Sequence, residues 1–408
     1  MNSRSGQPRI IICIASYCKG GEFIRECRRQ GCRVVLLTRE KLRHGDWPHD
    51  CLDEIITVPD RAELETYLHA VSDLARSQQP DLIVALEESD VITAARIREH
   101  LCLPGLSATT ARYFRDKLAM RGEAQHAGIV QPEFVSLLNY QALGEFMERI
   151  PPPWIIKPRA DASSIGVRKV TDAEEVWRAK DQLDARPSPR ERSGYYLLER
   201  WIPGTVYHVD SLVQGGRVIF ASADRYGVAP LEVTQHGGVS TSHTLRYDAA
   251  PRKELLALNA QLLSSLGLTQ GAAHAEFIGS SVDGRFYFLE VAARTGGAYT
   301  AETLEAATGI NLWREWARIE TADAEHPYQL PATRQEYAGL AVSLARQEWP
   351  DTSAYDDAEI VYRVSKPWHV GLIVRSASYG RVIALLDQYT QRFGRDFTAT
   401  APQQERPE

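Results

Sequence analysis

Between His274 and Arg294 the chain alternates apolar and polar residues on both sides of a Ser281-Val282-Asp283-Gly284 turn, the pattern of an antiparallel hairpin. With Asp283 at the tip, Glu276 pairs with Glu290, Ile278 with Phe288 and His274 with Ala292. Successive strand side chains alternate faces, so both glutamates project to one side. Their Cβ atoms are then about 5 Å apart. Carboxylates that close repel, and one holds its proton unless a cation sits between them. Mg²⁺, which takes hard oxygen ligands together with water and phosphate oxygens, suits such a pair. The residues alone leave open a register shifted by one, or two glutamates splayed into water.

The rest of the chain sets this hairpin in a mixed architecture. Apolar strands at 9–15, 33–38 and 81–86 alternate with helical patterns at 20–30, 62–77 and 91–100. That alternation predicts an open parallel sheet wrapped in helices. Ligands on such sheets sit at the carboxyl ends of the strands. The Cys18-Lys19-Gly20-Gly21 loop and the acidic loop Glu87, Glu88, Asp90 are therefore expected near one crevice, although the glycine pair alone reads as a tight turn. Pro104-Gly105 breaks the pattern, and Ser107 or Thr109 caps a helix expected to run to about Ala127. Hairpins with interspersed helices follow: strands at 154–157, 195–201, 205–214 and 217–223, and helices at 172–183, 252–266 and 299–307. A polar loop is expected over 186–193, and Gly215-Gly216 is a hairpin turn. The tail reads as strands near 338–345, 359–364 and 370–376, an amphipathic helix over 379–393 and a frayed end over 401–408.

Two lysines stand in distinctive settings. Lys117 follows Phe-Arg-Asp on a helix, where a lone lysine is ordinarily a solvated face. Lys157 ends the apolar strand Trp-Ile-Ile, a poor place for an unpaired ammonium. Beyond Arg159 lies a loop of small residues containing Ser163, Ser164 and Gly166, which lets backbone N–H groups approach a phosphate beside a lysine's point charge. Next, Glu199-Arg200-Trp201-Ile202-Pro203-Gly204 ends a strand in an acidic residue, an apolar pair and a glycine turn, and can present backbone donors and acceptors to a flat base.

The order of these pieces resembles the ATP-grasp superfamily. The carrying motifs are Phe-Arg-Asp-Lys117, Ile-Ile-Lys157-Pro, Ser-Ser-x-Gly166, Leu-Glu199-x-x-Ile202-x-Gly204, His274-x-Glu276-Phe and Leu-Glu290-x-x-x-Arg294-x-Gly296-Gly297. They run over about residues 105–315 and look most like those of carboxylate–amine ligases, including the L-amino acid ligases that make dipeptides. The resemblance implies an ATP-grasp fold of α/β and α+β parts. It divides the chain into a Rossmann-like pre-ATP-grasp domain (1–112), a first subdomain with the phosphate lysines (113–198), a second with hinge and metal hairpin (199–328) and a small C-terminal α+β region (329–408).

The resemblance also implies roles. Lys117 and Lys157 would hold the α- and β-phosphates of ATP. Glu199 would accept from the adenine amino group, with the backbone through Ile202 completing base recognition. Glu276 and Glu290 would hold Mg²⁺, and Arg294 would bind the acyl phosphate and the developing oxyanion. Arg225 is a candidate for the γ-phosphate and His208 for the nucleotide rim. Two positions depart from the pattern: Val206 stands where many relatives carry a ribose-binding acid, and Ala292 where many carry a metal-binding asparagine. His274, facing Ala292, or a water is expected to fill that gap. Glu87, Glu88, His236, Gly237 and Gly238, with His274, Gly296 and Gly297, are candidates for the substrate pocket.

The implied reaction is activation of a carboxylate, that of an amino acid, by Mg–ATP, followed by attack of an amine, with release of ADP and phosphate. The rival enzyme reading is an ATP-grasp carboxylase or phosphoryl-transfer relative acting on bicarbonate or another small acid; a third is a nucleotide-binding module without turnover. A net charge of −6 offers no basic stripe for nucleic acid, and no apolar run is long enough to span a bilayer. The six cysteines lie in the first quarter without a CxxC pair, which fits reduced thiols in a cytoplasmic protein. At 408 residues the chain exceeds one compact core, so two to four packed units are expected; a homodimer is compatible with it.

Overall fold

The computed structural model describes residues 8–161 and 165–400. Ser163 and Ser164 of the small-residue loop and the tail 401–408 lie outside the described residues. The N-terminal unit is a parallel sheet of β1 (Ile10–Ala15), β2 (Arg33–Arg39), β3 (Glu54–Val58) and β4 (Leu82–Ala85) in the order β3-β2-β1-β4. Helices α1 (Gly21–Arg29), α2 (Leu64–Ala75) and α3 (Val91–His100) cover it. Both faces of the sheet are buried, one against α1, the other against α2 and α3, which is why its strands read as continuous apolar runs. Gly20, with φ +79°, is required by close approach: a Cβ there would lie 2.8 Å from Leu86, just past β4.

The helix expected to run from residue 107 to 127 is two helices, α4 (Ala108–Arg112) and α5 (Lys117–His126). Asp116 breaks it. Its extended backbone and its side chain, which accepts from Leu118 N at 3.1 Å, form an N-cap, and Arg159 holds the same carboxylate at 2.6 Å. Lys117 thus opens α5 instead of riding mid-helix.

A small sheet of β5 (Phe134–Ser136), β6 (Trp154–Pro158), β7 (Arg168–Val170) and β8 (Tyr196–Arg200), ordered β5-β8-β6-β7, packs on α6 (Tyr140–Arg149) and α7 (Ala173–Asp184). The loop 186–193 contains a short 3₁₀ turn at Pro189–Glu191. The remainder builds an eight-stranded sheet. Its first strands are β9 (Gly204–Gln214), β10 (Arg217–Tyr226), β11 (Ser240–Thr244), β12 (Gly271–Ser280) and β13 (Phe286–Ala292). β14 (Tyr337–Leu344), β15 (Ile360–Arg363) and β16 (His369–Ser376) complete it, in the order β13-β12-β9-β10-β11-β14-β16-β15. The helices around it are α8 (Pro230–His236), α9 (Ala250–Ser265), α10 (Thr300–Thr308), α11 (Leu312–Thr321) and α12 (Tyr379–Asp396). The C-terminal strands therefore extend the sheet that carries the glutamate hairpin. Among the described residues no helix is long and apolar enough to cross a membrane.

The hairpin register departs from symmetric counting. His274 pairs with Ala292 and Glu276 with Glu290, but the next pairs are Phe277 with Phe288 and Ile278 with Tyr287. A bulge absorbs Leu289. Such an extra residue bends one strand and locally disrupts the ladder. Ile278 thus faces Tyr287, not Phe288.

Candidate active site

The small sheet and the β13-β12-β9 end of the large sheet face each other across a cleft. Its walls come from Lys117 at the start of α5, Ile155, Lys157 and Pro158 of β6, the segment from Glu199 to Ile202 with Gly204 and Val206, and Glu276, Ile278, Leu289 and Glu290 of the hairpin. Ala229–Glu232, at the start of α8, close the side. No short motif marked α8, a seven-residue helix after Gly227, and the sequence reading missed it. Ile202, Val206, Ile278 and Tyr287 pack as one apolar cluster, so Val206 continues a greasy floor where an acid was expected.

The polar wall is a chain of buried charges. Lys157 Nζ lies 2.8 Å from Glu199 Oε2, and Arg121 Nε donates to Glu199 Oε1 at 2.6 Å. Arg121, 1 % exposed, also donates to the carbonyls of Phe288 at 3.1 Å and Leu289 at 2.7 Å. β13 is the last strand of its sheet and is bulged at Leu289, so those carbonyls lack a strand partner on their outer side. Arg121 thereby pins the hairpin to the hinge. Nothing in the sequence marked it, since it lies four residues after Lys117 on an ordinary helical pattern.

Burial would raise the Glu199 pKa, but Arg121 and Lys157 outweigh it and hold the carboxyl at about 2. Burial pushes the Lys157 ammonium down to about 8, against the pull of Glu199. Lys117 Nζ donates to Asp161 O at 2.6 Å and lies 3.1 Å from Glu290 Oε2. Burial opposes the Glu290 carboxylate, yet Lys117 and Lys157 keep its pKa below the ordinary value.

Glu276 and Glu290 are directly paired, as the hairpin pattern predicts. Glu276 accepts from Tyr226 Oη at 3.0 Å. Two facing carboxylates with ammonium groups behind one of them fit a hard divalent cation whose remaining ligands are water and phosphate oxygens. His274 does not fit the gap left by Ala292. Its Nδ1 lies 2.9 Å from Asp210 Oδ1 and its Nε2 3.6 Å from Glu276 Oε1. Burial disfavours the imidazolium, but Asp210 and Glu276 outweigh it and push the pKa up to about 10, and an imidazolium has no lone pair for a metal. His208, Asp210 and His274 form a cluster with metal-ligand chemistry, but Asp210 spends a separate oxygen on each imidazole. His208 itself is not on the cleft wall. Asp210 at 2.6 Å and Ser242 at 2.8 Å hold both its ring nitrogens, and its ring lies against that of Tyr226 at a tilt of 40°.

Arg225 is also displaced from its expected place. Tyr226 faces Glu276, and strand alternation sends its exposed neighbour Arg225 to the opposite face, towards His243 and Tyr379. His236 is exposed and is not on the cleft wall, and Gly237 packs against Thr400. Gly238, with φ +113°, has open space around its missing Cβ and is not on the cleft wall either. Gly166, with φ +72°, lies against Pro158, while its neighbours Ile165 and Val167 line the cleft. Arg200 and Trp201 line it too; Arg200 reaches Glu133, and Lys169 lies over the Trp201 ring.

At the carboxyl end of β4 a second group of charges lies beside the cleft, with Glu88 within electrostatic reach of Lys117. Lys19 is ion-paired with Glu87, which joins the glycine loop to the acidic loop. Glu88 bridges Arg115 at 2.9 Å and Arg294 at 3.0 Å. Arg294 Nε and Thr295 Oγ1 are buried without a hydrogen-bond partner among the described residues. Orphaned donors of this kind mark a place for an acceptor that arrives with a ligand. Gly296 packs over the cluster behind: a Cβ there would be 2.7 Å from Asp210 Oδ1 and 2.9 Å from His274 Nδ1, whereas Gly297 faces open space.

Opposed sheets enclosing a cleft with two lysines, a hinge and a paired-glutamate hairpin define the ATP-grasp fold, and residues 150–302 match the ATP-grasp domain family. The chain is related to L-amino acid ligases. It is 22% identical over 270 residues to the L-arginine-specific L-amino acid ligase of Bacillus subtilis, a match covering 65% of this chain and 64% of that protein. The chain thus spans just under two thirds of that relative's length. Among solved structures, an L-amino acid ligase from Bacillus licheniformis superposes with a TM-score of 0.74 at 19% identity, covering 97% of this chain and 100% of that one. The N5-carboxyaminoimidazole synthetase of Staphylococcus aureus, complexed with ADP, superposes with a TM-score of 0.70 at 14% identity, covering 93% and 96%.

A pH effect follows from Lys157. With its free-protein pKa at about 8, the ammonium that would meet phosphate is lost as pH rises past that value. ATP affinity is expected to fall by up to tenfold per unit above pH 8, because binding must then take up a proton. Lys157→Ala should remove this slope and weaken ATP at least tenfold, with a smaller loss for adenosine. Calorimetric titration of both ligands between pH 7 and 9 checks this; equal losses for ATP and adenosine would assign the damage to the Glu199 network instead.

Proposed function

We propose that this protein is an ATP-dependent carboxylate–amine ligase that joins an amino acid to an amine through an acyl phosphate and releases ADP and phosphate. The observation that carries this reading is the meeting of the phosphate-type lysines and the paired glutamates in one cleft, with an arginine that has an unsatisfied buried Nε beside it, held by Glu88 within electrostatic reach of Lys117. We assign the apolar floor of Ile202, Val206 and Ile278 to the adenine. Glu199 keeps two of its four lone-pair sites beyond Arg121 and Lys157, enough to accept from the adenine amino group. Lys117 and Lys157 then face the phosphates, and Glu276 and Glu290 hold Mg²⁺. Bound there, Mg²⁺ supplies charge neutralisation on the phosphate oxygens.

The residues' work in this scheme is positioning and charge stabilisation. The substrate carboxylate lies against Arg294 and displaces part of its pairing with Glu88. Its oxygen attacks the γ-phosphorus, and ADP leaves. The amine then adds to the acyl carbon, phosphate departs, and the amine's proton is lost to solvent or a nearby carboxylate. Arg294 donates two hydrogen bonds at fixed geometry to the oxyanion that forms. Glu88, held below its ordinary pKa by Arg294 and Arg115 despite burial, is a charged neighbour for the substrate ammonium. We place the protein in the cytoplasm, where its six free thiols stay reduced.

A panel of amino acids and amines, assayed for phosphate release with Mg–ATP, tests the reading. Amine-dependent release supports the ligase; release that requires bicarbonate and ignores amines would replace it with a carboxylase. Arg294→Lys should bind Mg–ATP nearly normally yet lose on the order of 10²-fold in amine-dependent ADP formation, because lysine keeps the charge without the fork. Normal turnover in that variant would remove Arg294 from the chemistry.

A further inference from the structure

A second cavity, of about 330 Å³, lies behind the site between β4 and the start of β12. Among the described residues it shares no lining residue with the cleft. β4 is an edge strand, and its outer side forms one wall together with the Pro104–Leu106 linker; Leu268–Ala272 and α11 form the other. Leu82, Val84, Leu106, Leu268 and Trp316 give the walls an apolar part, and close to half of the lining is polar.

Two ionisable side chains interrupt that surface. Arg98 of α3 is buried, and among the described residues no carboxylate oxygen lies within 4.0 Å of it. Its Nη1 donates to Ile83 O at 2.7 Å, and its Nη2 and Nε to Leu106 O at 3.2 and 3.4 Å. A guanidinium carries five N–H groups, so two remain. A buried charge whose hydrogen-bond partners are all carbonyls is costly; Glu320 and Glu99 attract it only from beyond 4.0 Å, and a carboxylate in direct contact would offset more of that cost. Glu320 of α11 accepts from Trp316 Nε1 at 2.9 Å and from Gln270 Nε2 at 3.0 Å, which leaves acceptor sites free. Burial raises its pKa, and burial lowers that of Arg98. The backbone keeps the space open at both groups. Gly105, with φ +134°, lies so close that a Cβ would be 2.8 Å from Arg98 Cδ; at Gly271, with φ +120°, it would be 3.1 Å from Trp316 Nε1 and 3.8 Å from Glu320 Oε1.

We propose that this cavity is a second small-molecule site, separate from the nucleotide cleft, that takes an α-amino acid with a large apolar side chain: carboxylate on Arg98, ammonium on Glu320, side chain against the apolar walls. A cavity of this volume, with an apolar part and two charged groups converging on it, has the character of a ligand site. Neither Arg98 nor Glu320 has a part in the proposed chemistry.

The test is ligand-induced thermal shift and calorimetry on the full chain without nucleotide, using leucine and phenylalanine, with N-acetyl-leucine and isoamylamine as analogues lacking one charge. Leucine or phenylalanine should bind, and each analogue should bind at least tenfold more weakly. Leu106→Trp, which fills the cavity without changing charge, and Glu320→Gln, which is isosteric, should each weaken binding at least tenfold while keeping the thermal shift given by Mg–ATP. If Leu106→Trp loses the ATP response through misfolding, the isosteric Glu320→Gln decides. Unchanged binding in the properly folded variants would place the amino acid elsewhere and overturn the proposal. So would equal binding of the analogues, or no binding of either amino acid to the unmodified protein.

Discussion

Glu290→Gln is expected to cut ATP-dependent phosphate release on the order of 10³-fold, and to lower the melting temperature as well. The catalytic loss follows from its place in the proposed metal pair: a divalent cation held there would contribute several kcal/mol of charge stabilisation on the phosphate oxygens, and each 1.4 kcal/mol or so is a factor of ten. The stability loss follows from its neighbours. Two facing glutamates, read from the hairpin alone, would repel, and removing one would relieve the fold. In the structure Glu290 lies 3.1 Å from the buried Lys117 and its pKa is held below the ordinary value, so glutamine leaves that ammonium with Asp161 O as its one contact within 4.0 Å among the described residues. Glu276→Gln, with Tyr226 and His274 as neighbours and, among the described residues, no lysine ammonium within 4.0 Å, should lose comparable activity with less effect on melting. Steady-state phosphate release and thermal melts without Mg²⁺ check both. Near-normal turnover in either variant would take the hairpin out of the mechanism, and a Glu290→Gln protein that melts higher than the parent would mean that repulsion, not the Lys117 pair, dominates.

The largest stability effect is expected at Arg121. Arg121→Met should cost about 3–5 kcal/mol, the range for removing one partner of a buried ion pair. Glu199 is left with Lys157 alone, and the Phe288 and Leu289 carbonyls lose their donor. Glu199→Gln introduced on top should recover part of the loss, since the uncompensated carboxylate is then gone. The acid side carries a signature. Glu199 has a folded pKa near 2 against an ordinary value of 4.5, so its stabilisation is present above pH 4.5 and is lost as pH falls through 2. Without Arg121 the folded pKa rises, and acid unfolding should begin at higher pH. Urea unfolding between pH 3 and 7 measures both quantities. A loss under about 1 kcal/mol would show that Lys157 alone satisfies Glu199.

Much of the site was legible because its motifs are local. Lys157 closes an apolar strand, the Glu199 hinge ends another, and Glu276 and Glu290 sit at matched distances from a turn that sequence chemistry recognises. Side-chain alternation and turn geometry act over a few residues, so these placements survive whatever the rest of the chain does. The misplaced residues share a different character. Arg225 was one position off in a two-residue period, which sends a side chain to the opposite face. His208 was placed on the rim because a histidine in a strand after the hinge carries no sign of its partners; Ser242, 34 positions away, and Asp210 decide where it points.

By itself, then, the sequence determined most of the longer elements, the parallel N-terminal sheet, the paired glutamates and the ATP-grasp order of motifs, because periodicity and capping are local free energies. The short strands β3, β5, β7 and β11, the helices α8 and α11 and the break between α4 and α5 were not read from it. Only the tertiary structure decided which charges meet. Arg121 and Glu199 are 78 positions apart and Glu88 and Arg294 are 206 apart, and no local preference encodes either contact. The same holds for the bulge at Leu289, which moves Ile278 opposite Tyr287 and goes with carbonyls that Arg121 takes up. It holds also for the cavity between β4 and β12, whose two charged side chains come from helices α3 and α11, more than two hundred residues apart in sequence. Such contacts arise from how finished elements dock, where desolvation forces each buried charge to find whatever partner the packing supplies.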